Sequence, residues 1–195
     1  TYEVHDAQFT NFDLGAWGVA PVATRLNGRL TATGSDSTGG VGGLDAHLFL
    51  DRSRVGALAL EGGAAHGRLR SGHARAQGSV RTREGAATFS GDASWDASGR
   101  VLEGKGGFVL PFSVLAGFTG RDSLASTGAL YGDVTFGPGA SGDLKLAGVL
   151  AGRGSIGPAR IDTLFAGLRL EGATLTVDTL DVRSNVAQAR AVGRV

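Results

Sequence analysis

The chain has 195 residues, of which 42% are hydrophobic and 19% charged. That composition can bury a core and excludes a disordered tail. Nineteen Lys and Arg against 18 Asp and Glu leave a net charge of +1. The nearest approach to a basic stripe is Arg68, Arg70, Arg75, Arg81 and Arg83, with His66 and His73 among them. No aromatic residue stands between His66 and Arg83, so the stripe is expected to be a solvated strand face and not a nucleic-acid surface. With no cysteine there is no disulfide frame, thiolate metal site or thiol nucleophile.

Glycine is the outlier, 34 residues against four prolines, without the strict third-residue period of collagen. Mixed with Val, Leu, Thr and Ala, it predicts many turns and many short strands. From the N-terminus, Thr1 opens a strand-like stretch, and Asp13–Thr24 is a helical window interrupted by Gly15, Gly18 and Pro21. Gly28–Gly34 reads as a strand begun by a glycine bend. Leu44, Ala46, Leu48 and Leu50 then alternate with Asp45, His47, Phe49 and Asp51. Turns are predicted at Ser35–Gly43, Glu61–Ala65, Asp96–Gly99, Gly137–Gly142 and Gly152–Pro158. Ala87–Asp96 alternates again, Phe108–Leu110 reads as strand, and Ser113–Ala125 is a second helical window.

The C-terminal half alternates most cleanly. Leu130, Val134, Phe136, Leu144, Leu146, Leu168, Leu170, Leu175, Val177, Leu180 and Val182 fall on one parity. Asp133, Arg169, Glu171, Thr174, Thr176, Asp178, Asp181 and Arg183 fall on the other. Such a pattern predicts half-buried antiparallel strands, apolar on one face. A loose repeat, G-x-L-x-[AL]-x-G, joins Gly28–Gly34 to Gly142–Gly148. The expected fold is all-β, a long curved antiparallel sheet of many short strands with an apolar inner groove and little helix. It runs as one continuous unit over 1–195, with a possible boundary near 107–127. At about twelve residues per strand with its turn, roughly sixteen strands would extend for about 75 Å.

Motifs for chemistry are incomplete. Gly152-Arg153-Gly154-Ser155-Ile156-Gly157 has the dinucleotide spacing, but Pro158 and a strand follow where a helix must begin. Gly99–Lys105 has phosphate-loop spacing, but Gly106 replaces the hydroxyl that would hold magnesium. Gly42-Gly43-Leu44-Asp45 breaks the spacing of a calcium-binding β-roll. His5, His47, His66 and His73 have no metal-ligand spacing along the chain, and His66 and His73 would face opposite ways on one uninterrupted strand. No close carboxylate pair stands in an apolar context. The expectation is therefore a non-enzymatic protein with no catalytic residues, no metal and no cofactor.

Ile161–Ser184, with its strand–GxL–strand text, resembles TamB and its AsmA-like relatives, the DUF490-type translocation and assembly module proteins. Ala189–Val195 is similar to the strand that closes each unit there. Leu14–Val19 leading to Leu26–Thr31 resembles that family's short helical insert and G-x-L strand. The middle, Gly34–Gly106, departs from the pattern through shorter strands and more Gly and Ala. The resemblance implies a taco-like β-groove segment of a longer envelope protein, anchored at the inner membrane by a segment outside this chain and crossing the periplasm. It implies carriage of phospholipid or other acyl-chain lipid to the outer membrane, assistance to outer-membrane protein assembly, and a barrel partner of the Omp85 class. The eleven apolar residues from Leu130 to Val182 would line the groove. The competing expectation is a structural or adhesive surface protein built as a β-solenoid or sandwich array. It would fill its interior with regular stacks of Ile, Val or Asn, which two Ile and three Asn do not supply.

Overall fold

The computed structural model describes residues 1–16, 23–37, 40–83, 85–96, 101–118, 125–139, 144–171 and 174–194. Fourteen strands form one open, curled antiparallel sheet. They are β1 (Tyr2–Phe12), β2 (Thr24–Ser37), β3 (Gly40–Leu50), β4 (Ser53–Val55), β5 (Leu58–Leu60), β6 (Gly62–Arg70), β7 (His73–Thr82) and β8 (Gly85–Trp95). After β9 (Val101–Pro111) comes the helix α1 (Phe112–Phe118), then β10 (Ser126–Pro138), β11 (Leu144–Ile156), β12 (Ala159–Glu171), β13 (Thr174–Ser184) and β14 (Gln188–Arg194).

Leu50 pairs with Gly63 and Ser53 with Leu60, so β3 and β4 lie on one line and β5 and β6 on the next. The sheet is therefore a meander of twelve lines in which each line hydrogen-bonds its sequence neighbour. At about 4.8 Å per step it runs for roughly 50 Å, shorter than the length expected from the sequence. The lines are fewer because they are longer: β10, β11 and β12 have 13 residues each.

The glycines explain the difference. Density alone suggests turns, but many stand in mid-strand beneath an aromatic ring from the next strand. A Cβ on Gly78 would meet Phe89 Cζ at 2.6 Å and the Ala64 carbonyl oxygen at 2.7 Å. Gly104 lies under Phe136 in the same way, and Gly132 under Phe108. Gly78→Ala is expected to cost about 1–3 kcal/mol in a urea titration, because the Ala64 backbone cannot move aside as a side chain would. An unchanged midpoint would show that Phe89 alone makes the contact and swings away.

Turns depart from expectation where glycine misleads. The reversal expected at Glu61–Ala65 falls instead at Gly56-Ala57, with Gly56 at φ 57°, and Glu61–Ala65 lies mostly within β6. Ser71 and Gly72, both at positive φ, turn β6 into β7. His66 and His73 consequently sit on separate strands, and the register puts them on the same face. The turn expected at Gly152–Pro158 narrows to Gly157-Pro158; of that expected at Ser35–Gly43, Ser35–Ser37 lie in β2, Gly40–Gly43 in β3, and residues 38 and 39 lie outside the described residues. Residues 97–99 of the third predicted turn and 140–142 of the fourth lie outside the described residues.

Of the two helical windows, the second forms α1, one residue earlier than predicted; residues 119–124 lie outside the described residues. In the first, residues 17–22 lie outside them. Its ends are clasped where Asp13 Oδ1 accepts from the Thr24 amide (2.8 Å) and the Gly15 amide (2.9 Å), and Thr24 begins β2. These bonds to backbone amides hold the Asp13 carboxyl below its ordinary pKa.

Among the described residues the tightest packing lies at one end of the sheet. Phe112 and Val114 of α1 are 2% and 1% exposed, and Val114 packs with Leu58 and Leu60, flanked by Leu50, Val55 and Leu110. No helix among the described residues is long and apolar enough to cross a membrane.

Candidate functional site

The two faces of the sheet differ in chemistry, and the ladders can be followed strand by strand. From Leu130 the pairing runs to Leu110 on one side and Gly152 on the other; from Phe136 it runs to Leu146, then Leu170, then Leu175. Val134, Gly148, Leu168 and Val177 form the next row, ending at Gly193. Leu180 pairs with Ala166 and Ala191, and Val182 with Leu164 and Ala189. Pro138 pairs with Leu144, which fixes the register position of that residue. All eleven residues singled out from the sequence therefore belong to one face and to four consecutive strands, β10 to β13.

The same face continues to the other edge. Phe108 pairs with Phe89, Phe89 with Gly78, Gly78 with Ala65, Ala65 with Leu48, Leu48 with Leu30 and Leu30 with Ala7. Among the described side chains at the paired positions of this parity, none is charged. Two of the charges that bulges leave between paired positions are held by arginines. Asp162 pairs with Arg160 at 2.9 Å, and Asp178 accepts Arg169 Nε at 2.7 Å. Most side chains of this face are half-buried; Leu175, Phe89, Val4 and Tyr2 are exposed.

The opposite face carries the charges. Asp45, His47, His66 and Arg68 of β3 and β6 adjoin Arg75, Gln77, Asp92 and Lys105 of β7 to β9. Two clefts, of about 650 and 670 Å³, run mainly along this parity, the first beside Arg70, Arg75 and Lys105, the second beside His47, His66 and Tyr131.

One cluster is invisible in the spacing of the histidines. His47 and His66 are direct partners across β3 and β6, and their rings stack with centroids 4.3 Å apart and planes 12° apart. Asp45, two residues before His47 and on the same face, puts Oδ1 2.9 Å from His66 Nε2 and 3.2 Å from His47 Nε2. Arg68 Nε donates to the other oxygen at 2.9 Å. His66, then Arg68, holds the Asp45 carboxyl below its ordinary pKa. The signal that would have found this cluster is the strand register, which the histidine spacing does not contain.

Across the sheet, Arg169 lowers the pKa of Asp178, and Arg183, with Arg190, lowers that of Asp181. These carboxyls have depressed pKa values when folded. Their stabilisation is present above the unfolded value near 3.8 and is lost as pH falls through the folded values. The urea midpoint is expected to be flat from pH 7 to 5 and to fall below it. An Asp178→Asn, Asp181→Asn double variant should show a shallower fall; an identical acid limb would assign it to other groups.

Comparison with known proteins gives the fold no name. No family model, curated protein or solved structure matches this chain.

Proposed function

We propose that this chain is a β-groove segment whose apolar face shields or carries lipid acyl chains. The observation that carries the reading is the apolar face, followed from Tyr2 to Gly193 through every line of the sheet, with no charge among the described side chains at its paired positions. A folded monomer of 19.7 kDa ordinarily exposes about 8,600 Å²; this chain exposes 12234 Å². Such an excess supports a sheet face that awaits cover. α1 touches β5, β8, β9, β10 and β11. A seven-residue helix is about 10 Å long, while β5 and β11 would be about 24 Å apart in a flat sheet. The helix packs on the apolar side, against Leu110 and Leu50, so its reach supports a local bend toward that side where it docks.

An acyl chain gains about 0.8 kcal/mol per buried CH₂ and needs no side-chain motif, only a continuous apolar lane. Transport between inner and outer membranes, a periplasmic location, help in outer-membrane protein assembly and an Omp85-class partner are parts of the same proposal, and they rest on the resemblance to TamB-like sequences. A β-solenoid would stack its strands in parallel and a sandwich would face two sheets together; a single antiparallel meander fits neither.

The test is mass spectrometry of organic extracts of the purified protein, followed by delipidation and reloading with phospholipid. Co-purifying lipid at a fixed ratio, restored on reloading, is the expected result. Absence of lipid before and after reloading would overturn the reading.

A further inference from the structure

We propose that Asp45, His47 and His66 form a binding site for a divalent transition-metal ion of the zinc class, on the polar face and independent of the lipid reading. Two imidazoles on facing strands and a carboxylate two residues along one of them give three converging donors, all within 4.8 Å of one another. Around an ion with bonds of about 2.0–2.1 Å, neighbouring donor atoms lie about 2.9–3.4 Å apart, depending on octahedral or tetrahedral geometry. The observed spacings from Asp45 Oδ1 are 2.9 Å to His66 Nε2 and 3.2 Å to His47 Nε2. Two edges of a coordination polyhedron are thus already at length, and Asp45 Oδ1 is the corner they share.

The donor set selects the ion class. Two imidazole nitrogens with one carboxylate oxygen suit zinc, nickel, cobalt or copper, whereas calcium and magnesium require a shell of oxygens. Arg68 is a positioning residue. Its Nε bond to Asp45 Oδ2 turns Oδ1 toward the two imidazoles, and such outer contacts hold ligands in orientation. The strands supply rigidity, because His47 and His66 are locked opposite each other by the β3–β6 ladder. Access is open: the His47 side chain is 49% exposed, His66 32% and Asp45 27%, and the two histidines border the cleft of about 670 Å³. Remaining coordination positions face that cleft and are available to water or a small anion.

The test is calorimetric titration of the full chain with zinc chloride at pH 7.5, with cobalt absorption as a spectroscopic check. One equivalent is expected, with the d–d bands of a low-coordinate cobalt site. His47→Gln and His66→Gln should each weaken binding at least tenfold. His73→Gln, on the same face but outside the cluster, should leave it unchanged. His47 is half exposed, so its variant keeps the fold and decides the matter if His66→Gln unfolds. No heat at millimolar zinc, or binding that survives in the His47→Gln, His66→Gln double variant, would overturn the site and leave a hydrogen-bonded cluster. Neither outcome bears on lipid extraction.

Discussion

Val177→Asp is expected to abolish lipid crosslinking from neighbouring positions while leaving the sheet folded. Val177 stands in the row Val134–Gly148–Leu168–Val177–Gly193, on the strand next to the β14 edge of the apolar face. It is half-buried and has no second layer packed over it among the described residues. A carboxylate introduced there can hydrate once lipid is excluded, so it avoids the cost of several kcal/mol borne by a charge in a closed core. An acyl chain cannot lie against a hydrated charge, so occupancy at adjacent photoreactive positions such as Leu175 and Leu146 should fall at least tenfold. Unfolding of the variant in a thermal melt would mean that a dry core covers this face. Undiminished crosslinking in a folded variant would place the lipid path elsewhere.

Phe112→Ala has the largest effect expected on stability. The ring is 2% exposed, and a Cβ on Gly152 would come within 3.2 Å of its Cζ, so Phe112 seats α1 on β11. Removing a buried Phe costs about 3–5 kcal/mol in a core that cannot collapse. Here the loss also frees the helix end that packs Val114 against Leu58 and Leu60. Phe89, 43% exposed on the same face, is the control: Phe89→Ala should cost less than half as much. Equal losses at the two positions, measured by urea denaturation, would mean that the helix adds nothing to the open sheet.

Much of this arrangement can be read from parity alone. Alternation within Leu168–Leu170, Leu175–Val177 and Leu180–Val182 shows which side chains share a face, because a slip of one residue would send a whole strand's apolar set into water. Strand lengths are hidden because glycine has two uses that composition does not separate: it turns the chain at Gly157 and fits beneath Phe108 at Gly132. Register is hidden for the same reason. A turn centred in Glu61–Ala65 would set His47 near Ser79, whereas the reversal at Gly56-Ala57 sets it opposite His66. The Asp45–His47–His66 cluster thus depends on a two-residue turn about ten positions away, which no spacing rule for histidines contains. α1 begins one residue before its predicted window because Phe112 belongs to its buried side, a role set by the strands beneath it.

The strictly sequential meander also governs how the chain reaches this state. Among the described residues no ladder joins positions further apart than Tyr2 and Gly34, and each line pairs only with its immediate predecessor and successor. Loop closure for each added strand is therefore short and its entropic cost nearly constant. Folding of a sheet this large ordinarily suffers from distant pairings that must wait for one another. Here each hairpin can be added to the growing edge as soon as its residues emerge, N-terminus first, in the manner of a one-dimensional array. Among the described elements it is α1, reaching back to β5, that ties a later part of the chain to a distant earlier one. Its docking is then the step that converts a ribbon assembled strand by strand into a sheet of set curvature.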